Sequence, residues 1–91
     1  MRFDWDDSKS DKVRKKRGYS FEEILPLFQT DHLLEVSATY DGQFLAIGFV
    51  GAVMLTVVIE YREDEEGEYT WIVTYWESTK SEGNRYAKEK T

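Results

Sequence analysis

The sequence contains no cysteine, one proline and one histidine among its 91 residues. The absence of cysteine excludes disulfide bonds and thiolate metal sites, so packing alone must stabilise this short chain. That composition suits a reducing compartment, and we predict a cytoplasmic protein with no metal site and no cofactor. The single histidine, His32, follows a predicted helix beside an acidic residue. We interpret it as a loop residue rather than a catalyst.

Long apolar runs are also missing. The longest run, residues 44–59, is interrupted by Gly48, Gly51 and Thr56, and a membrane-spanning helix needs roughly 18 unbroken apolar residues. The first seven residues carry acids where a secretory signal carries bases. We therefore expect neither a membrane span nor export.

Positive charge is in deficit, with 12 basic against 18 acidic residues and a net charge of -6. An acidic surface repels phosphates, which argues against general affinity for nucleic acid. The charges are unevenly distributed, however, because residues 12–17 hold five bases and residues 60–68 hold six acids against Arg62. Each run could bind a partner or could simply be a solvated surface.

What the chain does have is enough apolar material for one core, since 41% of its residues are hydrophobic and 15% are aromatic. We expect a single domain over residues 1–91. Alternating Phe3 and Trp5 predict a short strand, and Asp6 or Asp7 then caps a helix that ends at Gly18. A capping box, Ser20 with Glu23, predicts a second helix from Phe21 that buries Phe21, Ile24, Leu25 and Phe28. Pro26 should make it short or kinked.

The remaining chain alternates as strands do, with turn signals between the apolar segments. We predict strands near residues 33–39, 43–50, 53–61 and 69–76, followed by a polar helix over 79–90. The fold class is α+β: an antiparallel meander with two N-terminal helices packed on one side, and a C-terminal helix.

Several short motifs fall in a distinctive order along the sequence. They are Trp5-Asp6, Lys9, Lys16, Gly18, Ser20-Phe21-Glu22-Glu23, Ala46-Ile47-Gly48, Arg62, Ile72-Val73-Thr74, Thr79, Glu82 and Tyr86. Any one of them is common, but their order and spacing together resemble the BrnT family of ribonuclease toxins. A third interpretation, an unrelated α+β protein with coincidental spacing, also stays open at this stage.

The resemblance implies a RelE-like fold and a metal-independent ribonuclease that is held inactive by a BrnA-like antitoxin, in some cases as an oligomer with it. In such enzymes the ribose 2'-hydroxyl attacks the adjacent phosphate, which requires a base, a cation and an acid. We expect Lys16, Arg17 and Arg62 to grip one phosphate and Glu82 to act as a base. The expected RNA-binding residues are Lys12, Arg14, Lys15, Thr79 and Tyr86.

Each of these residues also has an ordinary structural interpretation. Lys16 and Arg17 could complement the helix dipole, Arg62 could pair with Glu60 or Glu63, and Glu82 could be a solvated helix residue. Trp71, Tyr75 and Trp76 could stack on bases or pack in the core.

The sequence also departs from the family pattern at four positions. Arg17 stands where the family tends to have histidine, Gln43 and Trp76 where it has arginine, and Val13 where it has asparagine. These losses support a second hypothesis, a catalytically degenerate member that binds a protein through an aromatic sheet face around Tyr75 and Trp76.

Overall fold

A computed structural model describes residues 2–90 of the chain. The strands are β1 (Phe3–Asp4), β2 (Leu33–Val36), β3 (Gln43–Val50), β4 (Val53–Asp64) and β5 (Gly67–Glu77), and the α-helices are α1 (Asp7–Arg17) and α2 (Lys80–Lys90). A short 3-10 helix spans Leu25–Gln29. The strands form one five-stranded sheet in the order β1-β5-β4-β3-β2. The predicted α+β class is confirmed.

Helix α1 begins and ends as its sequence predicts. The Asp6 side chain accepts a hydrogen bond from the Lys9 backbone N–H, which satisfies one of the free donors of the first turn. At the other end Gly18 adopts the left-handed conformation, with φ 105°, and its N–H donates to the Arg14 carbonyl. The helix is almost wholly polar, and its one buried residue is Ser10, whose hydroxyl accepts from the Phe21 N–H at 2.8 Å.

The prediction of a second N-terminal α-helix is wrong. Residues 21–24 form a turn, and the 3-10 helix with Pro26 in its first turn follows it. The capping box does form, because Ser20 and Glu23 exchange hydrogen bonds at 2.9 and 3.1 Å, but Pro26 offers no N–H to continue an α-helix. The period of three then buries Phe21, Ile24 and Leu27 completely, with Leu27 in place of the expected Leu25 and Phe28.

The sheet is antiparallel from β2 to β5, as predicted for the meander. It is not antiparallel throughout, because β1 pairs with β5 in parallel, with Phe3 opposite Thr70. The chain turns through α1 and the whole meander before β5 forms, so this pairing connects the two ends of the sequence. Such long-range pairing leaves no signal in local alternation.

Helices pack on both faces of the sheet, which corrects the prediction of helices on one side. The core face carries Ala46, Leu55, Val57, Ile59, Ile72 and Tyr75 beneath Phe21, Ile24 and Leu27. The open face is the opposite one, and α2 covers only part of it, through Glu82 on Thr56, Tyr86 on Phe49 and Arg85 on Glu35. Neither α-helix within residues 2–90 is long and apolar enough to cross a membrane.

Candidate functional site

A cluster of cations covers the carboxyl end of α1. Its members are Lys12, Arg14, Lys15, Lys16 and Arg17, and all five are exposed. Arg14 donates to Glu23 at 3.0 Å, which ties the cluster to the turn that follows. Like charges repel, so five exposed cations on three turns of helix have most to gain from an anion.

Tyr75 holds the end of α1 against the sheet. Its hydroxyl accepts from the Tyr19 N–H at 2.9 Å and donates to the Tyr19 carbonyl at 2.7 Å. The ring is 1% exposed, and burial raises the pKa of Tyr75 despite the hydrogen bond to Tyr19. The peptide immediately after the Gly18 cap is therefore fixed, and with it the position of Lys16 and Arg17 over the core face.

Beside this anchor lies a cavity of about 430 Å³, here called the α1 cavity. It is lined by Lys16, Arg17, Tyr19, Val53, Leu55, Tyr75 and Glu77. Glu77 was not among the residues predicted from the sequence. Its position was readable, because Tyr75 and Glu77 are two apart in a strand and so share a face. The cavity combines two cations that can hold a phosphate with a carboxylate that can accept a proton.

The structure does not bring Arg62 to Lys16 and Arg17. These two line the α1 cavity with Leu55, and the step along β4 from Leu55 to Arg62 is roughly 23 Å at about 3.3 Å per residue. Arg62 also lies on the open face, where it bonds to Glu60 at 2.7 Å and stacks 4.2 Å above the centre of the Trp71 ring. The predicted three-cation grip on one phosphate is therefore wrong, because strand alternation and distance both separate Arg62 from the other two.

Glu82 is buried and fully engaged rather than solvated. Its carboxylate accepts from Thr56 Oγ1 at 2.9 Å, Trp76 Nε1 at 3.0 Å and the Thr79 N–H at 2.8 Å. Burial raises the pKa of Glu82, but the hydrogen bonds from Thr79, Trp76 and Thr56 outweigh burial, and the pKa is lowered. A carboxylate stabilised in this way joins α2 to the sheet and is a weaker base than an ordinary glutamate.

The other residues predicted to bind RNA divide between the two faces. Thr79 caps α2, since its hydroxyl accepts from the Glu82 N–H at 3.2 Å. Tyr86 packs edge-on against Phe49 at 5.6 Å, and Lys90 lies over its other side. Both belong to the α2 side of the open face, whereas Lys12, Arg14 and Lys15 belong to α1.

The open face contains a larger, mostly apolar groove of about 510 Å³, here called the open-face groove. Its lining residues are Ser37, Ala38, Thr39, Tyr40, Gln43, Leu45, Val58, Val73, Thr74, Trp76 and Glu82. Gln43 and Trp76, the two positions where the BrnT resemblance implies arginine, meet in this groove. The predicted joint surface of Tyr75 and Trp76 is wrong, because consecutive strand residues face opposite ways and Tyr75 is in the core.

His32 lies in the loop before β2, as predicted, with Nδ1 2.8 Å from the Thr30 carbonyl oxygen. Its ring packs edge-on against Phe28. Across residues 2–90, no three His, Cys, Asp or Glu side chains are grouped as a metal site would require.

Comparison with known proteins assigns the chain to a family. The family model described as "Ribonuclease toxin, BrnT, of type II toxin-antitoxin system" matches residues 5–82. No curated protein gives a significant match. The family match covers both the basic end of α1 and the whole sheet, so coincidental spacing in an unrelated protein is excluded. The chain belongs to the BrnT family of ribonuclease toxins of type II toxin-antitoxin systems.

Proposed function

We propose that this protein is a ribonuclease toxin that binds RNA at the carboxyl end of α1 and cleaves it in the α1 cavity. The observation that carries the proposal is that Lys16, Arg17 and Glu77 line one cavity in a member of this family. The surrounding bases, Lys12, Arg14 and Lys15, extend the positive surface along α1 and would guide the RNA backbone.

RNA supplies its own nucleophile, so the protein needs only to move protons and stabilise charge. In the proposed step Glu77 accepts the proton of the ribose 2'-hydroxyl, and the 2'-oxygen attacks the adjacent phosphorus. Lys16 and Arg17 stabilise the added negative charge on the phosphorane. The 5'-oxygen leaves and takes a proton from the Lys16 ammonium group, which gives a 2',3'-cyclic phosphate and a 5'-hydroxyl end. No metal ion is required by this sequence of steps.

Arg62 and Glu82 stand outside this proposal. Each is held by structural partners on the open face, Arg62 by Glu60 and Glu82 by Thr56, Trp76 and Thr79. We assign the cleavage step to the α1 cavity alone.

We further propose that the chain is a single cytoplasmic domain with a RelE-like arrangement and that a BrnA-like antitoxin neutralises it. The antiparallel β2 to β5 meander with an N-terminal helix on its core face supports this arrangement. A type II family implies a protein antitoxin, and the BrnT resemblance points to one of the BrnA type.

The test is cleavage of RNA by the purified chain in the presence of EDTA, together with growth after induced expression in bacteria. We expect growth arrest and metal-independent cleavage. The Lys16→Ala/Arg17→Ala variant should lose both. Intact RNA at high protein concentration, with normal growth, would contradict the proposal.

A second candidate function is supported by the two substitutions that meet in the open-face groove. With Gln43 and Trp76 in place of arginines, that groove holds no cation among its lining residues. The chain would then be a catalytically degenerate member that survives as a protein-binding module. The variant Arg17→His/Gln43→Arg/Trp76→Arg distinguishes the two, because gain of cleavage by this variant over an inactive native chain supports degeneration, and an active native chain excludes it.

A further inference from the structure

We propose that the open-face groove binds a basic, amphipathic segment of the antitoxin. This inference rests on the part of the proposed function that pairs the chain with a protein antitoxin, and it adds the surface and the chemistry of the contact. It does not require the chain to be an active nuclease.

The groove has the shape and composition of an anchoring site. Its volume of about 510 Å³ lies within the ~300–1,000 Å³ typical of binding pockets. Leu45, Val58 and Val73 form an apolar floor, and Trp76 forms part of the wall. Tyr40, on the loop between β2 and β3, is 64% exposed at the rim. Large apolar side chains of a partner would find aromatic and aliphatic contacts here, which is how interface anchors gain most of their affinity.

The charges around the groove select the partner. Among its lining residues the only charged side chain is Glu82, whose hydrogen bonds favour the ionised form. Gln43, at one end of the groove, donates to Glu60 at 2.8 Å. That hydrogen bond, followed by the one from Arg62, lowers the pKa of Glu60 and keeps it charged.

Beyond Glu60 the strand continues into the β4–β5 hairpin, where residues 60–68 hold six acids and one base. Asp41 adds a further acid beside Tyr40. An apolar groove next to this much negative charge is complementary to apolar anchors flanked by lysine or arginine. The same charges repel an RNA backbone.

The two binding surfaces of the molecule are therefore separate. The cations of α1 lie over the core face and the groove lies on the open face, so RNA and the antitoxin segment meet different sides of the sheet. Substitutions in one surface should leave binding at the other intact, which allows each to be tested alone.

The test compares Tyr40→Lys with Tyr61→Lys, using the purified protein encoded beside the gene of this chain as the antitoxin probe. Tyr61 is 52% exposed and packs on Phe44 on the core face, so it is a matched control. A lysine at the rim removes an aromatic contact and repels a basic segment. We expect its Kd to rise about tenfold or more, and Tyr40→Phe and Tyr61→Lys to change it less than about twofold.

A second variant, Leu45→Lys, places a cation in the groove floor and should weaken the complex further, provided that circular dichroism shows a folded chain. Higher salt should also weaken the native complex. Equal Kd values for Tyr40→Lys and Tyr61→Lys, or no binding of the probe, would overturn the inference. Self-association of the native chain that Tyr40→Lys abolishes would also overturn it, because the groove would then hold a second copy.

The outcome is distinguishable from failure of the proposed function. If RNA stays intact but Tyr40→Lys releases the antitoxin, the nuclease proposal fails and this inference stands. If RNA is cleaved and Tyr40→Lys binds the antitoxin normally, the reverse holds.

Discussion

The hydroxyl group of Tyr75 bonds to both backbone polar groups of Tyr19, at 2.9 Å to its nitrogen and 2.7 Å to its carbonyl oxygen. One side chain of β5 thereby holds the segment that leaves α1. The cations at the end of that helix are consequently fixed relative to Glu77, two residues further along the same strand.

Replacing Tyr75 with phenylalanine removes both hydrogen bonds and keeps the buried ring. Two backbone groups of Tyr19 then lack their partner, so the free energy of unfolding should fall by about 1–3 kcal/mol. Urea denaturation measures this difference. Tyr61→Phe, at an exposed tyrosine, is the control and should change it by less than about 0.5 kcal/mol. Equal effects of the two substitutions would contradict the anchoring role.

Glu77→Gln removes the proposed base and keeps the shape of the side chain. The cleavage rate at saturating RNA should fall by about a hundredfold or more, while the Kd for RNA stays nearly unchanged because the cations remain. Single-turnover cleavage and a binding titration separate the two effects. Glu63→Gln, in the exposed β4–β5 hairpin, should cleave normally. Full activity of Glu77→Gln would show that another group takes the proton.

Glu82 should make stability depend on pH. Its pKa is lower in the folded chain than in the unfolded chain, so its ionised form stabilises the fold above the unfolded pKa. That contribution is lost as the pH falls through the folded pKa, below about pH 4 to 5. The free energy difference between the native chain and Glu82→Gln should therefore be largest near neutral pH and shrink in acid. Glu89→Gln, an exposed residue of the same helix, should show no such trend; a constant difference for Glu82→Gln would refute the assignment.

Two glycines should respond oppositely to alanine. A Cβ at Gly48 would lie 3.0 Å from His32 Cβ and 3.2 Å from Leu27 Cγ, so the 3-10 helix and the loop must shift. We expect Gly48→Ala to lower the free energy of unfolding by about 1–3 kcal/mol. Gly83 lies inside α2, where a Cβ would meet only Met54 Sδ at an ordinary 3.7 Å. Gly83→Ala should raise the free energy by about 0.5–1 kcal/mol, and thermal unfolding checks both signs.

Local signals in the sequence predicted much of the fold. Asp6 and Gly18 marked the ends of α1, and alternation located β3, β4 and β5. The second helix was wrong because a capping box starts a helix but cannot supply the N–H that Pro26 lacks. The parallel pairing of β1 with β5 depends on contacts between distant parts of the chain, which no local pattern records.

The candidate site was harder to predict than the fold. The basic end of α1 follows directly from the run of cations, and the structure confirms that they share one exposed helix end. Grouping Arg62 with them failed because the sequence gives neither the length of β4 between them nor the face on which Arg62 lies. Glu77 was missed because a single acid at the end of a strand has no motif around it.

The most direct test of the account is RNA affinity at two salt concentrations. The chains to compare are the native one, Lys16→Glu/Arg17→Glu, and the control Lys80→Glu/Lys90→Glu on α2. If RNA meets the carboxyl end of α1, the first variant should bind at least about tenfold more weakly, with a salt dependence reduced by about two phosphate contacts. The α2 control should bind within about twofold of the native chain, since α2 lies on the other face. Equal losses in both variants would show a diffuse charge effect, and no loss in the α1 variant would contradict the account.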